Sequence, residues 1–274
     1  MRASLRLLAA WFALVLVTTQ AQASDDSGGA CDATAATPVE LAAIDEKFDL
    51  VLADGRIAAL AGLALDGADD RRALESELFA ASLSAAILRA APDRWGRTAI
   101  RLYARAGADG ARDVAVDWLR RGLARYRPDP ETHPCRRALL AAEDQARRAH
   151  AGLWADPAAV ISGTDRDAIA AAAPDLVVVE GAVASVGEAR GRTYLNLGPS
   201  RMRDLAIVIW TRDLAAFAAE GLVPRRLVGR RIRARGLLDR RFGPHLELVS
   251  PDALELLEEP PGGGRANEGK GAGR

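Results

Sequence analysis

The chain has 274 residues, of which 49% are hydrophobic, and its 37 Lys and Arg residues balance its 37 Asp and Glu residues. This apolar content suffices for one large or two ordinary domains. The balanced charge excludes a whole-chain positive field that would draw the protein to nucleic acid. Lys47 and Lys270 are the only lysines. The Arg bias is typical of GC-rich coding, so Arg enrichment alone carries no functional argument.

The start of the chain is typical of a secretory signal peptide over residues 1–23. Arg2 and Arg6 give a positive beginning, residues 7–17 form an apolar run, and Ala21-Gln22-Ala23 is a small-residue cleavage site. The apolar run is too short to span a bilayer, so we expect no membrane span in the mature chain. The pattern predicts export to the periplasm or the medium.

Two cysteines, Cys31 and Cys135, predict a disulfide, because export brings the chain into an oxidising compartment. Closing this long loop would add roughly 4 kcal/mol on the loop-entropy model. Two unrelated thiols are the alternative. A lipid-modified Cys31 is disfavoured because this residue lies well past the apolar run. The histidines, His133, His150 and His245, show no zinc-ligand spacing.

The first half of the chain predicts short strands followed by helices. Residues 39–48 predict a short helix, and residues 49–63 predict a β-hairpin, because two apolar runs flank the turn-forming pair Asp54-Gly55. Apolar residues at helical spacing predict helices over 73–83, 114–123 and 136–153. Residues 86–90 and 98–104 predict two strands on either side of a turn.

That turn is Asp93-Arg94-Trp95-Gly96-Arg97, and the blocks 114–126 and 141–154 follow it. Together the three blocks resemble the second half of the staphylococcal-nuclease-like (thermonuclease) domain, a barrel with packed helices, over residues 48–157. The resemblance implies that Arg97 binds phosphate and that Trp95 is a candidate substrate contact. The alternative is a structural turn, in which Asp93 bonds local backbone and Gly96 takes a positive φ.

The first half of such a domain holds the calcium ligands and the base of a nuclease. Aligned on the hairpin turn, the expected metal-ligand positions hold Phe48, Ala64 and Leu65. The positions of the first catalytic Arg and of the Glu that orients water hold Ala59 and Gly67. A single retained arginine can hold a phosphate but cannot generate hydroxide. We therefore expect a catalytically impaired protein with no bound metal or cofactor.

An active nuclease that cleaves DNA or RNA with calcium at a rearranged acidic site is the alternative. Acidic residues near the hairpin could supply ligands if the register shifted by one or two positions: Asp45, Glu46, Asp49, Asp66, Asp69 and Asp70. Calcium requires about six to eight oxygens at fixed distances, which mere proximity does not provide. An acidic loop in water is the simpler interpretation.

The second half of the chain has a different pattern. Three strands, a helix and two strands, in that order, predict an OB-like barrel over residues 175–258. Residues 158–174 predict a linker or linker helix. The barrel sequence also resembles the small C-terminal barrel often appended to exported nuclease-like domains. The Gly-rich tail, 259–274, predicts disorder, and 24–38 is a polar lead into the first domain, 39–157.

The second barrel could bind single-stranded nucleic acid, because such barrels do so through a basic groove with aromatic side chains. Candidate cations are Arg225, Arg226, Arg230, Arg231, Arg233, Arg235, Arg240 and Arg241, and candidate aromatics are Tyr194, Trp210 and Phe242. Solvated strand faces are the alternative. We expect an α+β fold, mainly β, in which a nuclease-like OB barrel with packed helices precedes a second, small OB-like barrel. The expected protein is an exported monomer that binds nucleic acid or an envelope protein.

Overall fold

A computed structural model describes residues 35–65, 67–105, 110–173, 175–200 and 202–257. The predicted signal peptide, Cys31 and the predicted tail lie outside the described residues. Two barrels follow one another along the chain, and helices pack against them, so the predicted α+β fold class is confirmed. Among the described residues, no helix has the length and apolar character needed to cross a membrane.

The first barrel contains nine strands or strand segments and three helices within the described residues. They are β1 (Thr37–Val39), β2 (Leu41–Ile44), β3 (Leu50–Leu52), β4 (Ile57–Leu60), β5 (Leu63–Ala64), α1 (Gly67–Phe79), β6 (Ser82–Ile87), β7 (Arg97–Arg105), β8 (Arg112–Asp113), α2 (Val114–Arg121), β9 (Arg125–Tyr126) and α3 (Arg136–Arg148). The sheet order is β1-β6-β7-β4-β3-β2. Glu40 alone separates β1 from β2, so the sheet begins and ends on one bent strand and closes into a barrel.

The helix predicted over residues 39–48 is wrong, because this segment forms β1 and β2. Leu41 and Ile44 are buried while the two alanines between them are exposed, a spacing that imitates one helical turn. A β-bulge produces this spacing, since the pairing of β2 with β3 shifts between Leu41 and Ala43. The predicted hairpin is confirmed: β3 and β4 pair antiparallel on either side of Asp54-Gly55.

The second barrel repeats the connectivity of the first. Its elements are β10 (Val160–Ser162), α4 (Arg166–Ala171), β11 (Leu176–Ala182), β12 (Ser185–Ala189), β13 (Arg192–Asn196), β14 (Ala206–Trp210), α5 (Leu214–Ala219), β15 (Arg231–Asp239), β16 (His245–Leu248) and β17 (Leu254–Leu256). The order is β10-β11-β15-β16-β14-β13-β12, and β17 pairs with β15. For comparison, β1 and β2 are counted as one strand, β11 and β12 are counted as one strand, and the short β5 and β10 are left out. In both barrels a helix then follows the third strand. The third strand pairs parallel with the fifth, β4 with β7 in the first barrel and β14 with β16 in the second.

Residues 158–174, predicted as a linker, contain β10 and α4. Strand β10 extends the second sheet by pairing parallel with β11, and Ile161 and Ile169 enter the second core. Arg240 donates to the carbonyl oxygens of Ile169 and Ala172 at the end of α4. The segment is therefore packed on the second barrel and is not an extended tether.

A buried ion-pair network joins the two barrels. Arg235 of β15 is fully buried and donates to Glu143 of α3 and to Glu255 of β17. Arg147 contacts the same Glu143 at 2.6 Å. Removing one member would leave a buried charge without its partner, which costs about 3–5 kcal/mol in comparable sites. This network fixes how the outer face of β15 meets the first barrel.

Candidate functional site

The Asp93-Arg94-Trp95-Gly96-Arg97 turn is a self-bonded loop that leads into β7. The Asp93 carboxylate accepts the backbone N–H groups of Trp95 and Arg97, each at 2.9 Å. The Gly96 N–H donates to the Asp93 carbonyl oxygen, and Gly96 has φ of 79°. Both structural features predicted for this turn are confirmed, and they set Arg97 at the first position of β7.

Arg97 is held between two carboxylates. Its Nε and Nη2 atoms lie 2.9 and 2.8 Å from Asp93 Oδ2, and its Nη1 atom lies 3.3 Å from Asp49 Oδ1. The hydrogen bond that Arg97 donates to Asp93 raises the pKa of Arg97, although burial opposes the shift. Burial alone would raise the pKa of Asp93, but the bonds from Arg97 and Trp95 lower it overall. Two carboxylates on one guanidinium leave little positive charge for a phosphate.

Asp49 ends a second turn with the same hydrogen bonds. The Asp45 carboxylate accepts the N–H groups of Lys47 at 2.8 Å and Asp49 at 2.9 Å, and the Phe48 N–H donates to the Asp45 carbonyl oxygen. Phe48 occupies the position that Gly96 occupies in the other turn, with φ of 65°. Burial raises the pKa of Asp49, while Arg97 and its hydrogen bond oppose the shift.

The residues aligned with the missing nuclease groups line one cleft together with Arg97. Phe48, Ala59, Ala64 and Leu65 all lie on this wall of the first barrel. The pairing of β5 with β9 brings Ala64 opposite Arg125, at the edge of the cleft. Arg97 and these apolar side chains therefore lie on the same wall of the cleft.

The acidic residues near the hairpin are dispersed. Asp45 caps its own turn, Asp49 pairs with Arg97, and exposed Asp69 pairs with Arg72. Glu46 is exposed, and Asp66 lies outside the described residues. In the described part of the chain, no group of three or more His, Cys, Asp or Glu side chains could hold a metal ion. Asp45, Asp49 and Asp69 therefore each have a separate partner within the chain.

Trp95 lies outside this cleft, at the tip of its turn. Its side chain is 59% exposed, and the guanidinium carbons of Arg94 and Arg97 lie 3.9 and 4.8 Å from its ring centroid. Each such cation–π contact contributes about 0.5–1 kcal/mol at an exposed site. Trp95 is thus a rim aromatic that also screens one side of Arg97.

The opposite wall of the cleft comes from the second barrel, which the sequence analysis did not anticipate. The cleft encloses about 700 Å³, and Leu176, Leu237, Glu247 and Val249 line its second wall. Buried Arg235 and exposed Leu237 alternate with inward residues of β15, which directs this outer face towards the first barrel. The strand periodicity indicated two faces, but only the three-dimensional contact shows which one meets the other barrel.

The arginines of the second barrel do not form an open basic groove. Partners within the chain engage most of the candidates: Arg225 bonds Glu188, Arg231 and Arg233 bond Glu180, Arg235 bonds Glu143, Arg240 bonds helix carbonyls, and Arg241 bonds Asp239. Tyr194 and Phe242 line a cavity of about 550 Å³ that adjoins the cleft and shares Glu247 with it. The guanidinium carbons of Arg192 and Arg212 lie 4.1 and 5.0 Å from the ring centroid of Trp210. The charge needed for a polyanion is largely neutralised.

Cys135 is buried in the first core, directly before α3. Its predicted partner, Cys31, lies outside the described residues, so the disulfide stays a prediction.

Both barrels have the five-stranded connectivity of the OB class. Residues 68–156 match the family model described as Staphylococcal nuclease homologue. This stretch of the chain is therefore similar to staphylococcal-nuclease-like domains. The match begins within α1, after the turn that carries Phe48 and the strand that carries Ala59. No curated protein matches the chain.

Proposed function

We propose that this protein is an exported, non-catalytic binding module, in which the former nuclease site has become one wall of a ligand cleft. The observation that carries the proposal is the environment of Arg97. This arginine is paired with Asp49 and Asp93, while Phe48 and Ala64 stand at the positions of metal ligands.

The chemistry of phosphodiester cleavage explains why this environment favours binding over catalysis. The reaction needs a metal ion to lower the pKa of water and a free cation to stabilise the developing charge. The Asp45 carboxylate is hydrogen-bonded within its own turn, and the carboxylates of Asp49 and Asp93 accept hydrogen bonds from Arg97. The three acidic side chains nearest Arg97 are thus engaged within the chain and are not free to activate water, which supports the non-catalytic proposal.

The partner of the module is proposed to be an envelope protein in preference to nucleic acid. Most arginines of the second barrel are engaged within the chain, so few remain to displace counterions from nucleic-acid phosphates. Release of these counterions dominates nucleic-acid affinity. Calcium and nucleic acid belong only to the alternative, an active DNA or RNA endonuclease.

A cleavage assay separates the two functions. Purified mature protein with calcium and a single-stranded DNA substrate is expected to release no more product than an Arg97→Ala variant. Leu237→Asp serves as a matched control for loss of a cleft side chain outside the former nuclease wall. Calcium-dependent cleavage by the wild type that disappears in Arg97→Ala and persists in Leu237→Asp would contradict the proposal.

A further inference from the structure

An exposed apolar strip crosses the second-barrel wall of the cleft. Leu237 and Val249 are 67% and 64% exposed. Leu237 pairs with Leu176 on the neighbouring strand β11, and Val249 follows β16 on the other side of β15. Large apolar side chains that share one concave surface mark an interaction site, whereas scattered ones do not.

The facing wall presents Phe48 in a strained conformation. A non-glycine residue in the left-handed region costs about 1–2 kcal/mol, and the matching turn avoids this cost with Gly96. The Phe48 ring packs partly against the first core and also lines the cleft. Strain of this kind clusters at ligand sites, where the side chain is retained for contact.

The charges at the cleft are balanced. Lys47 and Arg127 lie on the first-barrel side, and Asp175 and Glu247 lie on the second-barrel side. None of these four makes an ion pair within the described residues. A polyanion would meet as many carboxylates as free cations, while an apolar peptide flanked by groups of both signs would match both walls.

We propose that the cleft binds an extended peptide segment of a partner protein, with large apolar side chains seated between Phe48 and the Leu237–Val249 strip. The proposal rests on the proposed function, because it requires a cleft without nuclease chemistry. A cleft of about 700 Å³ accommodates a few side chains and not a folded domain. The chain's own residues 258–274 do not fit, since they contain no Leu, Ile, Val, Met, Phe or Trp.

The probe is a random library of fluorescein-labelled 12-residue peptides, selected on the full mature protein. We expect the selected peptides to carry two or more large apolar residues. Leu237→Asp should weaken their binding by at least about tenfold, as expected for a central interface residue. Val228→Asp is the matched control, because Val228 is 50% exposed on the same barrel and lies outside the cleft. This control should bind like the wild type.

Phe48→Gly provides a second test, because glycine adopts the positive φ without strain and removes the ring. This variant should remain folded by circular dichroism and lose peptide affinity. Selection of no apolar peptide, or peptides that bind Leu237→Asp as tightly as wild type, would overturn the proposal.

Fluorescein-labelled oligothymidine forms the comparison arm. Binding of this oligonucleotide that Leu237→Asp abolishes would assign the cleft to nucleic acid and also overturn the peptide proposal. The cleavage assay is independent of these outcomes. If the protein cleaves no DNA and selects no apolar peptide, only the peptide proposal is overturned. Calcium-dependent cleavage would overturn the proposed function itself.

Discussion

At the scale of single residues, two turns with one hydrogen-bond pattern meet at the cleft. The carboxylates of Asp45 and Asp93 each accept the backbone N–H of the fourth residue that follows them. These two residues, Asp49 and Arg97, pair with each other. The pairing joins residues 48 positions apart and depends on closure of the barrel. Through this contact and its pairing with Asp93, Arg97 joins the two turns.

Asp49 gives a prediction about pH. Burial raises its pKa, so Asp49 binds a proton more tightly in the folded protein than in the unfolded chain. The resulting stabilisation is fully present below the ordinary value of 3.8 and is lost as pH rises through the raised folded pKa. We therefore expect the melting temperature of Asp49→Asn, relative to wild type, to increase as pH is raised from about 4 to 7.

The control is Asp54→Asn, because a hydrogen bond from Arg56 lowers the pKa of exposed Asp54. Its stabilisation is present above the ordinary pKa and is lost as pH falls. Melting curves of this variant should show a smaller change of the opposite sign. An Asp49→Asn difference that stays flat across the range would contradict the assigned burial.

Residue-scale reasoning from sequence reached part of this site. The roles of Asp93 and Gly96 followed from turn chemistry, which is local. The apolar replacements at Phe48, Ala59 and Ala64 followed from alignment on the hairpin, and they line one cleft with Arg97. The Arg97–Asp49 pair and the strained φ of Phe48 depend on tertiary closure, so no sequence pattern signalled them.

At the scale of elements, the contact between two helix ends is set by glycine. Gly122 ends α2 with φ of 69°, and Gly152 follows α3 with φ of 56°. A Cβ added to Gly122 would overlap the carbonyl group of Ala151, and one added to Gly152 would overlap the carbonyl of Gly122. The two backbones are also joined by a 2.9 Å bond from the Leu153 N–H to the Gly122 oxygen.

Gly122→Ala should destabilise the protein strongly, because both the positive φ and the backbone contact exclude a methyl group. We expect a loss of about 3 kcal/mol or more in the free energy of unfolding by urea. Gly221→Ala is the matched control, since Gly221 has φ of 78° and open space around its Cα. The control should lose only about 1 kcal/mol. Equal losses in the two variants would argue against the close approach.

Element prediction from sequence succeeded where the pattern was strong, as in the β3–β4 hairpin and helix α2. It failed for β1 and β2 because a bulge gave a strand the spacing of a helix. Residues 158–174 were not anticipated as part of the second barrel, since a three-residue strand such as β10 carries too little pattern to be distinguished from a loop.

At the scale of the whole molecule, two barrels of the same connectivity form one composite cleft. The buried Arg235, paired with Glu143 and Glu255, fixes the face of β15 against the first barrel. The cleft wall that carries Arg97 thereby faces Leu237 and Val249. The sequence predicted both barrels but not their contact. In the sequence, a buried arginine cannot be distinguished from a solvent-exposed one until its ion-pair partners are known.

A non-catalytic module needs no calcium at this cleft, whereas nuclease chemistry depends on it. Calorimetric titration of calcium into the full mature protein distinguishes the two. We expect no saturable binding heat, in wild type and in Asp49→Asn alike. Stoichiometric calcium binding by the wild type that Asp49→Asn abolishes would contradict the non-catalytic proposal.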